Sequence, residues 1–259
     1  MKSLSDLLPS SEPETQAAIC EEHGDYESRH VFGRIWTKCP TCAADAREKQ
    51  RREDEARDRA KRVMAWQSKI GGAGIPERFL DRRLGTFVAR SDDQRRALAF
   101  AQDYADTFDE VLATGRCALF IGRPGTGKTH LAVGVGMQIM ESGYTALFQT
   151  VMRAVRRVKD TWRRDSQESE TAAIAAMVFP DLLILDEVGV QFSSDAERLI
   201  LFDILNERYE KRKPTLFLSN LTTDEVKACL GERVFDRLRE DGGEVVPFGW
   251  ESHRGKEVA

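Results

Sequence analysis

The chain has 259 residues, 41% hydrophobic and 32% charged, with a formal net charge of −4. That length suits one core of ordinary size plus a small appendage, no apolar run approaches the roughly 20 residues of a bilayer span, and residues 1–13 lack a charged-then-apolar leader, so neither a membrane nor a secreted protein is expected. Cysteines odd in number, three of them at Cys20, Cys39 and Cys42, argue for reduced thiols in the cytoplasm, and the mild acidity leaves any DNA contact to a local basic patch.

Residues 1–19 are polar, contain Pro9 and Pro13 and show no sustained period, which reads as a loose terminus with at most a helical turn near Leu4 to Leu8. Cys20-x-x-His23 and Cys39-x-x-Cys42 follow, with residues 24–38 between the pairs. Two knuckles at that spacing can close a tetrahedral, structural Zn²⁺ site, and a segment too short to bury a core gains its stability from the metal. His30 is the alternative fourth ligand. Residues 43–66 mix both charge signs without Gly or Pro and read as a solvated helix. Gly71-Gly72-Ala73-Gly74 and Pro76 break that pattern, and the domain boundary is placed there, dividing a 1–70 zinc-binding and helical partner-binding module from a 71–259 domain.

Beyond the break, residues 92–113 repeat apolar side chains at helical spacing. Short apolar runs at 117–121, 146–149, 182–185 and 215–218 then alternate with helices over 128–142, 151–164 and 195–211. Such alternation predicts an α/β domain in which helices wrap a parallel sheet.

The first run leads into Gly122-Arg123-Pro124-Gly125-Thr126-Gly127-Lys128-Thr129 and then an apolar helix, the spacing and context of a phosphate-binding loop. Its backbone N–H groups would surround the phosphates of ATP, Lys128 would reach the β- and γ-phosphates, and Thr129 would bind Mg²⁺. His130 follows, near the nucleotide. The run 182–185 ends in Asp186-Glu187, which places two carboxylates beside that loop. Asp186 would hold Mg²⁺ and Glu187 would orient the attacking water, so ATP hydrolysis is expected. Asn220, at the tip of the next run, either contacts the γ-phosphate or the water, or is a turn residue. In the helix 151–164, Arg153, Arg156, Arg157, Lys159, Arg163 and Arg164 accompany Trp162. One face could follow a single-stranded DNA backbone while Val151, Val155 and Val158 pack inward.

The phosphate loop, the Leu182-to-Glu187 stretch and the run ending in Ser219-Asn220 together resemble the AAA+ ATPases. More narrowly, GIPERF, GRPGTGKTHLA, LLILDEVGVQ, LSNL, GERVFDRLR and WESHR, in that order over about residues 74–254, resemble the DnaC-type replicative helicase loaders. The resemblance implies a five-stranded parallel sheet ordered 5-1-4-3-2, ATP-dependent self-assembly into an oligomer, single-stranded DNA binding after the second strand, and a DnaB-like replicative helicase hexamer as partner. Carried over residue by residue, it makes Arg237 the arginine finger acting on a neighbour's ATP, with Arg233 as competitor, and Arg254 a sensor of the γ-phosphate in the same subunit. Some loaders grip the helicase through an N-terminal zinc module and others through helices. The alternatives are an IstB-like transposition ATPase that binds duplex target DNA and stimulates a transposase, and an ATP-binding adaptor without turnover.

Overall fold

The structure is a computed structural model and describes residues 14–32, 35–70, 72–189 and 194–253. The chain divides into two compact units, Met1–Asp58 and Arg59–Ala259.

The first unit contains the antiparallel strands β1 (Thr15–Cys20), β2 (Gly24–Phe32) and β3 (Ile35–Trp36), in sheet order β1-β2-β3. The expectation of a loose terminus through residue 19 is corrected: residues 15–19 pair with β2, Thr15 opposite Arg29 and Ile19 opposite Asp25. Solvated on much of both faces, this strand carries no two-residue hydrophobic alternation, and its backbone partner supplies its order. The turn proposed near Leu4 to Leu8 lies outside the described residues. Helix α1 (Pro40–Ile70) follows, starting earlier than the charge pattern indicates because Pro40 fits a first helical position, where its missing N–H costs nothing. Its surface is laced by pairs such as Arg51 with Glu48 and Glu55, spacings that lend an exposed helix slight support. Among the described residues of this unit only Ser28 and Cys39 are buried. The division between units falls within α1, ahead of the glycine-rich break.

In the second unit, α2 (Asp92–Asp106), α3 (Phe108–Thr114), β4 (Ala118–Gly122), α4 (Lys128–Glu141), β5 (Ala146–Thr150), α5 (Val151–Asp160), α6 (Glu170–Val178), β6 (Leu182–Asp186), α7 (Asp195–Glu210), β7 (Thr215–Ser219), α8 (Thr223–Leu230), α9 (Glu232–Arg239) and β8 (Glu244–Phe248) follow in order. The five strands are parallel and ordered β5-β6-β7-β4-β8, which is the expected 5-1-4-3-2. Alternate strand residues feed opposite cores, as a two-residue period requires. Phe120, Phe148 and Ile184 pack with α2, α3 and α4 on one face. Leu119, Leu147 and Leu183 pack with α5, α6, α7 and α9 on the other. No described helix is long and apolar enough to cross a membrane.

Three local departures have physical causes. The 92–113 pattern is split at Thr107, whose hydroxyl bonds the Asp103 carbonyl at 2.8 Å and draws the backbone out of helix. The basic helix stops at Asp160, and Ser169 caps the separate α6. Strand β8 contains Pro247, a residue that weakens a strand pattern, but β8 is the sheet edge where a missing N–H is tolerated. At the other edge, Phe148 N–H donates to Ala73 O at 2.7 Å. A Cβ on Gly74 would stand 2.5 Å from Phe148 O. Ala73 and Gly74 therefore lie along β5, and glycine is required at residue 74 for that approach.

Candidate nucleotide site and cysteine–histidine cluster

The loop over residues 122–129 leaves the C-terminal end of β4 and opens α4. Gly125 and Gly127, at φ +80° and +97°, adopt the left-handed backbone that turns successive N–H groups to one side. Helix α4 has neither a side-chain cap nor an acidic residue in its first turn, so its unpaired N–H groups and positive dipole end face the cleft. That cleft encloses about 410 Å³. Pro124, Gly125, Gly127, Lys128, Thr129 and His130 form one wall, and Asp186, Glu187 and Asn220 form another. Gly122 and Arg123 contribute carbonyls instead, which accept from Lys128 Nζ at 2.6 and 3.0 Å. Thr126 is fully buried, its hydroxyl donating to Arg123 O.

Asp186 and Glu187 sit where β6 ends, beside the loop. Thr129 Oγ1 donates to Asp186 Oδ2 at 3.2 Å, so a hydroxyl and a carboxylate of the kind that hold Mg²⁺ are adjacent. Burial pushes the Asp186 carboxyl up, against the Glu187 N–H, Thr129 and Lys128, which favour its charge. Glu187 is exposed and has φ 60°, a backbone setting a non-glycine residue adopts at some cost. The turn is held by Val188 N–H to Leu218 O at 2.9 Å.

His130 lines the cleft but its Nε2 lies 3.0 Å from Arg83 O and 3.1 Å from Thr86 Oγ1, and burial lowers its pKa. Four further lining residues, Arg78, Phe79, Arg82 and His253, carry no spacing signal of their own. Arg78, Phe79 and His253 are traceable in the sequence only as members of the GIPERF and WESHR stretches, and Arg82 lies outside both. Arg254 lies outside the described residues.

Arg237 is not near this cleft. Its guanidinium stacks 4.3 Å over the Tyr209 ring and donates to Asn206 Oδ1, in a cavity of about 260 Å³ that also reaches Cys117 and Thr215. Those two residues mark the N-terminal ends of β4 and β7, a strand length of roughly 16 Å from the loop. Arg233, one turn earlier on α9, is exposed.

On α5, Val151, Val155 and Val158 are buried as expected, and Ala154 is buried with them. Part of the basic set is engaged internally: Arg157 pairs with Glu168 at 2.6 Å, Lys159 with the buried Glu197 at 2.9 Å, and Arg163 with Asp165 at 3.6 Å. Trp162 is 52% exposed, its indole N–H on Glu170. Arg153, Arg156 and Arg164 are exposed without an acidic partner among the described residues.

In the first unit, the ligand atoms of Cys20, His23, Cys39 and Cys42 all lie within 4.8 Å of one another. Cys20 Sγ is 3.5 Å from Cys42 Sγ, and His23 Nδ1 is 3.2 Å from Cys42 Sγ. A tetrahedral ion with metal–sulfur bonds near 2.3 Å needs edges of about 3.8 Å, so four donors of this chemistry fit a metal. His30 instead packs on Trp36, ring centroids 5.2 Å apart. The Glu22 N–H and then the His23 ring lower the Cys20 thiol to about 6. Its hydrogen bond with Cys20 pushes Cys42 up to about 12. His23 Nε2 faces Asp45 at 3.7 Å, the orientation in which a carboxylate steadies a metal-binding imidazole.

Sheet order and loop geometry together define a P-loop ATP-binding protein of the AAA+ kind. Residues 87–258 match the family of IstB-like ATP binding proteins. The replicative helicase loader DnaC of Escherichia coli (strain K12) is 33% identical over 201 residues, 78% of this chain and 80% of that protein. The replicative helicase loader DnaC of Buchnera aphidicola subsp. Acyrthosiphon pisum is 33% identical over 207 residues, 80% of this chain and 83% of that protein. A crystal structure of the DnaC helicase loader aligns with a TM-score of 0.60 at 25% identity, covering 66% of this chain and 99% of that one. The chain belongs to the IstB-like ATP-binding family, among its DnaC-type replicative helicase loaders.

Proposed function

We propose that this chain loads a replicative helicase hexamer onto single-stranded DNA, and that ATP binding drives its self-assembly while hydrolysis drives its release. Lys128 and the loop N–H groups bind the phosphates, Thr129 and Asp186 hold Mg²⁺, Glu187 orients the attacking water, and Asn220 contacts the γ-phosphate or that water. Mg²⁺, when bound, neutralises charge on the phosphates. The carrying observation is the placement of Arg237: it stands at the opposite end of the strands from the chain's own loop, so it supports a site completed by a neighbouring copy. Arg254 is the candidate γ-phosphate sensor within the subunit. Switching between assembled and dissociated states then follows γ-phosphate contacts.

The 1–70 segment is the candidate helicase grip, with Zn²⁺ on Cys20, His23, Cys39 and Cys42 replacing the apolar core its described residues lack. Arg153, Arg156 and Arg164 are the cations left to meet a DNA backbone. Light scattering on a size-exclusion column, with ATP and a replicative helicase hexamer from the same source, tests the reading. A complex that loosens when residues 1–70 are removed is the expected result. Absence of a complex in every nucleotide state, together with preference for duplex DNA, would instead support the IstB-like transposition ATPase.

A further inference from the structure

We propose that residues 248–253 form a clasp on the phosphate loop, in which Trp250 and His253 are positioning residues for nucleotide binding. The proposal rests on the loop being the ATP site. Trp250 Nε1–H donates to Thr126 O at 2.9 Å, and His253 N–H donates to Gly125 O at 2.9 Å. The clasp is anchored at both ends. Phe248 is fully buried in β8 opposite Gly122, its ring 5.1 Å from Phe120 and 4.8 Å from Trp250. At the other end, His253 Nε2 lies 3.1 Å from Gln94 Nε2.

That last contact has only one consistent assignment. Gln94 Oε1 already accepts from Arg90 N and Ser91 N at 2.6 and 3.1 Å, so its amide nitrogen faces the imidazole. An amide nitrogen only donates. His253 Nε2 therefore accepts, and the ring proton resides on Nδ1. Gln94 is 5% exposed in the first turn of α2, which ties the clasp to the core.

The two accepting carbonyls explain why this matters to the nucleotide. In a trans peptide, C=O and the following N–H point in opposite directions. Holding Gly125 O and Thr126 O outward thus aims the Thr126 and Gly127 N–H groups into the cleft, where a phosphate is to bind. Glycines on both sides of Thr126 would otherwise leave these peptide units free to turn over. The clasp pre-organises the loop, and an ordering cost that binding would have borne is met on folding.

Trp250→Phe keeps the ring stack and removes only the N–H. ATP and ADP should then bind the full chain about 3- to 10-fold more weakly in fluorescence titrations, as expected for one lost hydrogen bond, with the thermal midpoint of the nucleotide-free protein lowered by only a few degrees. His253→Ala, which retains the backbone donor, should weaken binding about 3-fold and serves if Trp250→Phe does not fold. A chain with Trp36, Trp66 and Trp162 changed to Phe should report ATP through Trp250 emission. Wild-type affinity in both single variants, or a Trp250 emission indifferent to ATP, overturns the clasp. If the unaltered chain binds no nucleotide, the ATP-site reading fails as well; if it binds and Lys128→Ala does not, the clasp alone is in question.

Discussion

Lys128 Nζ donates to Asn220 Oδ1 at 2.9 Å, joining the first residue of α4 to the end of β7 across the nucleotide cleft. A lysine ammonium has no acceptor, so Asn220 must present its oxygen to Lys128. Its amide N–H groups are left for a phosphate oxygen or the attacking water. Asn220→Ala should leave ADP affinity within about 2-fold and slow ATP hydrolysis by about 10- to 100-fold. Lys128→Ala should abolish binding of both nucleotides. Hydrolysis at the unaltered rate in Asn220→Ala would return the residue to a turn role.

Asp186 is the carboxylate whose pKa burial raises. A group raised on folding contributes most below its unfolded pKa, and that contribution is lost as pH rises through the folded value. At neutral pH its charge therefore costs stability in the nucleotide-free chain. Asp186→Asn should raise the thermal midpoint without nucleotide and abolish the Mg²⁺-dependent part of ATP affinity. A lowered midpoint with Mg²⁺ dependence intact contradicts this account.

Arg237 and the loop stand at opposite ends of the parallel strands, so two inactive variants should complement each other. Arg237→Ala should bind ATP and lose hydrolysis by about 10³-fold, and mixing it with Lys128→Ala should restore turnover, one variant supplying the intact cleft and the other the arginine. Undiminished turnover in Arg237→Ala would shift the role to Arg233.

The cysteine–histidine cluster should bind one Zn²⁺ per chain, measured by elemental analysis, and Cys39→Ser should lose it. Chelation should unfold the first unit while leaving the thermal transition of the second in place, because the described apolar cores lie in the second. Full metal content in Cys39→Ser would sink the assignment.

Much of the nucleotide site was legible in the sequence. Residues 122–129 and Asp186-Glu187 each lie within one turn or one strand end, where backbone geometry alone sets what the side chains face. The same holds for the Cys20/His23 and Cys39/Cys42 pairs. Strand β1 and the proline-containing β8 were not legible as patterns, since their order comes from the partner strand rather than from a buried stripe. Arg208 looks like a surface charge, yet it is 1% exposed and donates to Thr215 Oγ1, Pro180 O and Pro214 O. Lys159 looks available for DNA, yet it is held by Glu197.

The sequence by itself determined the chemistry of this protein: a phosphate loop followed by carboxylates, and two ligand pairs of soft donors. Only the tertiary structure decided which distant groups share a site. It set Trp250 and His253 on the loop, Asn220 on Lys128, and Arg237 at the far end of the strands. The physical reason is range. A motif is confined by a few dihedral angles, whereas partners a hundred residues apart meet only where strand order brings their elements together.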